Sequence, residues 1–319
     1  MTDAASPASG VSDSGSEQQS IQDLQIQHRN IFTRAVSNIL SSPIAEETYA
    51  QIIDGLPLSD VALDTYEGTV CSGHPLLDER IELSDGVLDK ARQLRSIFGA
   101  TALRFDSKLL HAYQAAAPGS RSFQTKLIEL VARVIHQIAI WFFKQEPNLS
   151  PSNHLVAWKP SEEDEPFYPY GYPPTFFGTS ESRIFGGVVL FDRRHMTSDA
   201  DTESHNIYLH ADRHDVTYRI FKLLDEQKYE LIQFLLSEVT PLPNCPLPIL
   251  GDLDNRERVD PEEPIESTGI YRDTWERKPP SEDDWDRRRR DVIDTFNYMS
   301  QDDWAAAKTR AIMKRYRPL

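Results

Sequence analysis

The apolar run from Ile184 to Phe191 is the most concentrated stretch of strand-forming residues in the chain. It reads Ile-Phe-Gly-Gly-Val-Val-Leu-Phe and lies between two charged residues, Arg183 and Asp192. A continuous apolar run of this length is typical of a strand that is buried on both faces. We therefore predict a strand over 183–193 and expect the rest of the chain to pack around it.

Two more strand patterns follow this run. The segments 206–210 and 216–223 are rich in β-branched and aromatic residues, and polar turns separate them from their neighbours. Short connections between strands favour antiparallel pairing. The pattern therefore predicts an antiparallel sheet of three or more strands over about 183–223, with the first strand at its centre.

Helical spacing dominates the first half of the chain. Apolar residues recur every three or four positions over 21–40, 44–53, 87–98, 101–117 and 123–146, and the last of these segments is the longest. Another helix is expected at 226–237, where it would cover one face of three strands. Two C-terminal helices are expected at 282–298 and 301–316. The predicted fold class is α+β, with a largely helical N-terminal half and a helical C-terminal tail.

Composition divides the chain into segments. The Ser/Ala-rich stretch 1–20 predicts a disordered tail. A main α+β domain over 21–250 comprises the helical part 21–146, a connection rich in Pro and aromatic residues over 147–180, and the sheet with its helix over 181–238. The polar segment 251–280 is interpreted as an acidic linker, and the helices of 281–319 are expected to pack on or near the body.

Net charge indicates which classes of partner the chain can bind, and targeting patterns and cysteine content indicate its compartment. The 50 acidic and 34 basic residues give a formal net charge of −16, which repels nucleic acid and anionic membranes at long range. We found neither a secretory signal pattern nor an apolar run long enough to span a membrane. The two cysteines, Cys71 and Cys245, provide no disulfide framework. These features predict a soluble protein of the cytoplasm or the nucleus that binds neither nucleic acid nor membranes, and they leave a protein partner open.

The strand region resembles a family of uncharacterised filamentous-fungal predicted proteins. The resemblance lies in the motif Phe-Gly-Gly-Val-Val-Leu-Phe-Asp-Arg at 185–193, followed by the strand patterns at 206–210 and 217–223 and then by a helix. It implies a eukaryotic intracellular protein. It implies no activity and assigns no catalytic residue.

Polar residues gather where the predicted strands end. Candidate catalytic residues are His205, His210, Asp192 and Asp212, and candidate ligand-binding residues are Tyr208, Arg219, Gly186 and Gly187. A His–Asp pair is the smallest general-base unit, and imidazole and carboxylate also bind transition metals. Because no metal-binding motif is present, the sequence assigns neither a metal nor another cofactor. The alternative is that these residues belong to ordinary loops, where they are solvated or form turn hydrogen bonds.

The glycine pair Gly186–Gly187 has two interpretations. Glycines inside a strand allow close approach of a ligand or of another backbone segment. They also occur at bulges and where a neighbouring element packs tightly. We favour packing, because the chain contains no dinucleotide-binding or phosphate-binding glycine motif.

Two functions fit these features. The first is a protein-interaction or structural module, because Trp275, Trp285 and Trp304 lie in polar segments and need a surface to pack against. The second is an enzyme or a small-molecule-binding protein with a His/Asp/Arg pocket at the strand ends, at about 192–219. In that pocket a histidine would act as the base, an aspartate would orient it, and Arg219 would bind an anionic group.

Overall fold

The computed structural model describes residues 18–64, 74–100, 103–145, 155, 158–159, 179–194, 204–211, 213, 216–217, 219–239, 244–261, 263–273, 298 and 300–315. The predicted tail up to residue 17, most of the aromatic connection and all but the last residue of the helix expected over 282–298 lie outside these described residues.

Helices form most of the first half and frame the sheet. In chain order they are α1 (Ile26–Leu40), α2 (Pro43–Asp54), α3 (Ser59–Asp64), α4 (Leu76–Glu79), α5 (Val87–Ile97), α6 (Ser107–Ala115), α7 (Arg121–Gln145), α8 (Thr179–Phe185), α9 (Asp225–Leu236), α10 (Ile265–Thr268) and α11 (Gln301–Arg315). The α+β fold class predicted from the sequence is confirmed. Among the described helices, none is both long enough and apolar enough to cross a membrane.

Local signals explain where several helices begin and end. The Ser42 side chain accepts a hydrogen bond from the Ala45 amide at the start of α2, and Pro43 occupies the first turn, where its missing N–H costs nothing. Gly55 ends this helix in the left-handed conformation. The longest helix, α7, agrees with its predicted bounds within two residues. It is buried on most sides by α1, α2, α6 and α8.

Two short strands near the N-terminus differ from the prediction. Gln18–Ser20 (β1) pairs antiparallel with Arg104–Asp106 (β2). Residues 18–20 thus belong to the folded body and not to the tail. The pattern at 101–117 was read as one helix, but the helix starts only at Ser107, where the Asp106 carboxylate caps it by accepting the Lys108 and Leu109 amides.

The main sheet has five antiparallel strands. They are β3 (Val188–Asp192), β4 (Ile207–His210), β5 (Ile220–Lys222), β6 (Arg258–Val259) and β7 (Ile270–Tyr271), in the spatial order β6-β5-β4-β3-β7. The predicted antiparallel pairing of the first three is confirmed. The central strand is β4, whereas the sequence pattern had placed β3 there.

The first half of the opening apolar run is helical. Ile184 and Phe185 form the end of α8, and the chain turns at Gly186, whose φ is 94°, before β3 begins at Val188. The prediction of a strand from 183 was therefore wrong over its first residues. A short run that is buried all round has no periodicity that distinguishes a helix end from a strand.

The segment interpreted as an acidic linker supplies both edges of the sheet. Val259 of β6 pairs with Ile220, and Tyr271 of β7 pairs with Phe191. Asn255 and Asp260 are buried. Strands of two residues are too short to show an alternating pattern, which is why the sequence did not reveal them.

Alternation along the strands gives the sheet two apolar faces. The inner face packs into the main core together with α7 and α9; its side chains are those of Val189, Phe191, Ile207, Leu209 and Phe221. The outer face forms a separate cluster of Leu190, Tyr208, Ile220 and Ile270. Asp192 and His210 lie on the same side as this cluster because they are separated from Leu190 and Tyr208 by two positions.

Candidate functional site

The antiparallel topology separates the candidate polar residues into two groups. Asp192 is the last residue of β3, whereas His210, the last residue of β4, pairs with Val188 at the start of β3. Four residue steps of strand correspond to about 13 Å. Asp192 therefore lies at one end of the sheet with His205, and His210 lies at the other end with Arg219.

Asp192 is held by four hydrogen bonds. Its Oδ1 accepts the backbone amide and Nε of Arg194, at 3.2 and 2.9 Å, and its Oδ2 accepts Arg194 Nη2 at 2.6 Å and Ser204 Oγ at 3.1 Å. Burial raises the pKa of this carboxyl, but the hydrogen bonds from Arg194 and Ser204 outweigh burial and bring the pKa to about 2. A carboxylate with this pKa is a weak base and a good anchor.

Tyr208 lies near the same arginine. Its side chain is on the outer face of β4. Burial raises the pKa of the phenol, the charge of Asp192 raises it further, and the positive charge of Arg194 opposes this shift. The hydrogen bond with Asp192 raises the pKa of the Arg194 guanidinium.

The histidines do not join this cluster as a catalytic pair. His205 and His210 are both half-buried, and they lie at opposite ends of β4. The predicted candidate Asp212 lies outside the described residues. Among the residues that the structure describes, no group of three or more His, Cys, Asp or Glu side chains is arranged to hold a metal ion.

The chain's own backbone occupies the space beside both glycines. A Cβ atom on Gly186 would lie 2.2 Å from the carbonyl oxygen of Ile249, and one on Gly187 would lie 2.8 Å from the carbonyl carbon of His210. The Ile249 amide also donates a hydrogen bond to the Phe185 carbonyl at 2.9 Å. The favoured interpretation of close packing is therefore the one that the geometry supports, and a ligand has no room at these Cβ positions.

Arg219 is a buried anchor for the C-terminal segment. Its guanidinium lies over the ring of Tyr298 at 4.7 Å from the centroid, and its Nη2 donates to the carbonyl of Arg258 at 3.3 Å. Tyr298 is itself almost fully buried. The arginine that is expected to bind an anionic group contacts the face of an aromatic ring, as cations do in proteins.

A network of buried and partly buried ion pairs, which the sequence had not indicated, holds β7 against the helices. Arg272 Nη1 donates to Glu181 Oε1 at 2.6 Å, and Arg133 Nη2 donates to Asp273 Oδ1 at 2.7 Å. Burial raises the pKa of Glu181, and the charge of Arg272 opposes this shift. The two residues that follow β7 thus bind one carboxylate on α8 and one arginine on α7.

The same network reaches the end of β3. Arg193 Nη2 donates to Glu129 Oε1 at 2.6 Å, and Arg133 Nη2 lies 3.7 Å from that oxygen. The Arg193 guanidinium also lies over the Phe191 ring at 5.0 Å. Lys126 and Glu129, two charged residues of α7, are buried.

The contacts in these clusters could not be predicted from the sequence, with one exception. Arg194 follows Asp192 by two positions, so a local ion pair could have been anticipated. Glu181, Arg272 and Tyr298 meet their partners across long sequence separations. Chemically, the clusters join segments through pairs of opposite charge or through an arginine on an aromatic face.

Comparison with known proteins identifies no relative of this chain, so the function is argued from the geometry of the residues described above. The chain matches no family model, no curated protein and no solved structure.

Proposed function

We propose that this protein is a protein-interaction or structural module. The proposal rests on the hydrogen bonding of Asp192, a candidate catalytic residue from the sequence. Arg194 and Ser204 donate hydrogen bonds to its carboxylate, and both oxygens accept at least one. A general base needs a lone pair that faces a substrate, together with a pKa near the working pH. Asp192 is suited to holding the end of β3 in place.

Exposed apolar side chains support contact with another protein. Tyr229 on α9 is 65% exposed, and Trp304 on α11 is 37% exposed and lies beneath the Lys308 ammonium at 3.4 Å. Tyrosine and tryptophan contribute strongly to binding where proteins meet. A partner that buries the Trp304 ring would gain apolar contact area at low entropic cost.

The alternative of an enzyme or a small-molecule-binding protein has weaker support. Its pocket requires the candidate residues to converge, yet Asp192 and His210 lie about 13 Å apart along the sheet. The guanidinium of Arg219, which would bind the anionic group, contacts the Tyr298 ring and donates a hydrogen bond to the Arg258 carbonyl.

We further propose an intracellular location, in the cytoplasm or the nucleus, and membership of the fungal family that the strand motif suggests. The acidic balance of the chain supports protein partners over nucleic acid. Imaging of the tagged full-length chain in cells tests the location, and secretion into the medium would contradict it.

Quantitative affinity purification tests the proposed function. The tagged full-length chain, purified from cells that express it natively, is expected to bring down at least one protein at a near-equimolar ratio. Substitution Trp304→Ala should weaken that capture, whereas Asp192→Asn, at a temperature where it stays folded, should leave it unchanged. Recovery of the chain alone at monomer mass would contradict the proposal, as would loss of capture with Asp192→Asn only.

A further inference from the structure

The outer face of the sheet is apolar and sealed from solvent. Leu190, Tyr208, Ile220 and Ile270 are each at most 3% exposed, and Val188 and Val259 border them. Among the residues that the structure describes, this cluster contains side chains of the sheet alone, and it is separate from the main core on the inner face. Burial to this extent requires a layer of other atoms above the cluster, because a single sheet leaves its outer face open to water.

The described residues that flank the segment 274–297 point to a candidate for that layer. At Asp273 the chain is fixed beside β7 by the bond to Arg133, and it returns at Tyr298, whose ring lies against Arg219 at the start of β5. In the strand order, β7 and β5 are separated by β3 and β4. Three strand spacings amount to about 14 Å. The two described residues that flank the segment 274–297 therefore lie on opposite sides of β3 and β4.

The segment 274–297 is long enough to cover the outer face of the sheet. Its 24 residues (297 − 274 + 1) would span about 36 Å as a helix and more when extended. It also has the required apolar side chains. Trp285, Val292, Ile293 and Phe296 recur at spacings of seven, eight and eleven positions, which is the stripe expected on one face of the helix predicted at 282–298.

We propose that the outer face of the sheet is a docking surface for residues 274–297 of the same chain, with the stripe of Trp285, Val292, Ile293 and Phe296 against Leu190, Tyr208 and Ile220. This intramolecular contact goes beyond the proposed interaction function and does not depend on it. It accounts for two tryptophans, Trp275 and Trp285, that lie in polar sequence.

Photo-crosslinking identifies the occupant directly. In the full-length chain, Val259 at the border of the face is replaced with p-benzoylphenylalanine, and the crosslinked peptides are identified by mass spectrometry after irradiation. We expect crosslinks within one chain to peptides of 274–297. Crosslinks to 1–17, to 195–203 or to a second copy would overturn the proposal. The matched control carries the same probe at Tyr229, on the solvent side of α9, and should give no crosslink to 274–297.

Footprinting with hydroxyl radicals provides a second test that does not require a probe in the sheet. Trp285→Ser with Phe296→Ser should increase oxidation of Tyr208 at least several-fold, while Tyr49 in the main core stays protected and so reports that the body is folded. Unchanged protection of Tyr208 in this variant would overturn the proposal. If Tyr49 becomes oxidised as well, the single variant Phe296→Ala is measured. It should increase oxidation of Tyr208 while Tyr49 stays protected, and unchanged protection of Tyr208 would again overturn the proposal.

Discussion

The carboxylate of Glu181 accepts a hydrogen bond from the backbone amide of Val189 at 2.8 Å. Val189 lies on the edge of β3 that faces β7, yet β7 pairs only with Phe191 and Asp192. The side chain of Glu181 therefore takes the place of a neighbouring strand at this position. The same oxygen accepts Arg272 Nη1, so one carboxylate satisfies the strand edge and also holds the residue that follows β7.

Substitution Glu181→Ala should destabilise the protein strongly. It leaves the Val189 amide and the Arg272 guanidinium buried without this partner, and removal of one member of a buried ion pair costs about 3–5 kcal/mol. Glu181→Gln should cost less, because the amide oxygen can still accept from Val189 and because burial already raises the pKa of this carboxyl. Urea denaturation measures both, with Glu266→Ala on the exposed side of α10 as the control. Equal stability of all three variants would refute this role.

Substitution Gly186→Ala should cost much more than the same change at Gly119. Both glycines have a positive φ, of 94° and 87°, so both variants carry a strain of about 1–2 kcal/mol. Only at Gly186 would the new Cβ meet backbone, whereas nothing lies within 4 Å at Gly119. Overpacking adds about 1–3 kcal/mol. Thermal unfolding of the two variants measures the difference, and similar melting temperatures would show that the space beside Gly186 is open.

The contribution of Asp192 to stability should disappear in acid. Its folded-state pKa of about 2 is below the ordinary value of 3.8, so the folded state favours the charged form. The stabilisation is complete above about pH 4 and is lost as the pH falls towards 2. At neutral pH it amounts to about 2 kcal/mol. The difference in unfolding free energy between wild type and Asp192→Asn should therefore shrink over this range, and a difference that is constant with pH would contradict the assignment.

Arg219 and Tyr298 should be energetically coupled. A double-mutant cycle with Arg219→Met and Tyr298→Leu is expected to give a coupling of about 1–2 kcal/mol, because the contact is buried. Tyr298→Phe should preserve it, since the ring face is kept. The exposed pair Lys308 and Trp304 is the control and should give about 0.5 kcal/mol. Additive effects at Arg219 and Tyr298 would indicate that the C-terminal segment is not anchored there.

Patterns with a local physical cause were predictable from the sequence. The cap at Ser42, the stop at Gly55 and the apolar spacing in α7 each depend on residues within a few positions of one another. The alternation of Ile207, Tyr208, Leu209 and His210 placed β4 correctly, with its inner and outer faces. Local agreement of this kind fixed the α+β class.

Features that depend on long-range contacts were not predictable. The edge strands β6 and β7 have two residues each and exist because β5 and β3 offer unpaired edges. The candidate site residues Asp192 and His210 are separated for a topological reason: in an antiparallel sheet, successive strand ends alternate between the two ends of the sheet. Arg194 was close enough in sequence to be found, whereas Glu181 with Arg272 was not.

The carboxyl pKa of Asp192, measured by nuclear magnetic resonance titration of the isotope-labelled full-length chain, tests the central claim that the strand-end residues are structural anchors. A pKa of about 2 is expected, together with loss of that depression in Arg194→Gln. A pKa at or above the ordinary value of 3.8, unaffected by Arg194→Gln, would show an unanchored carboxylate and would contradict the account.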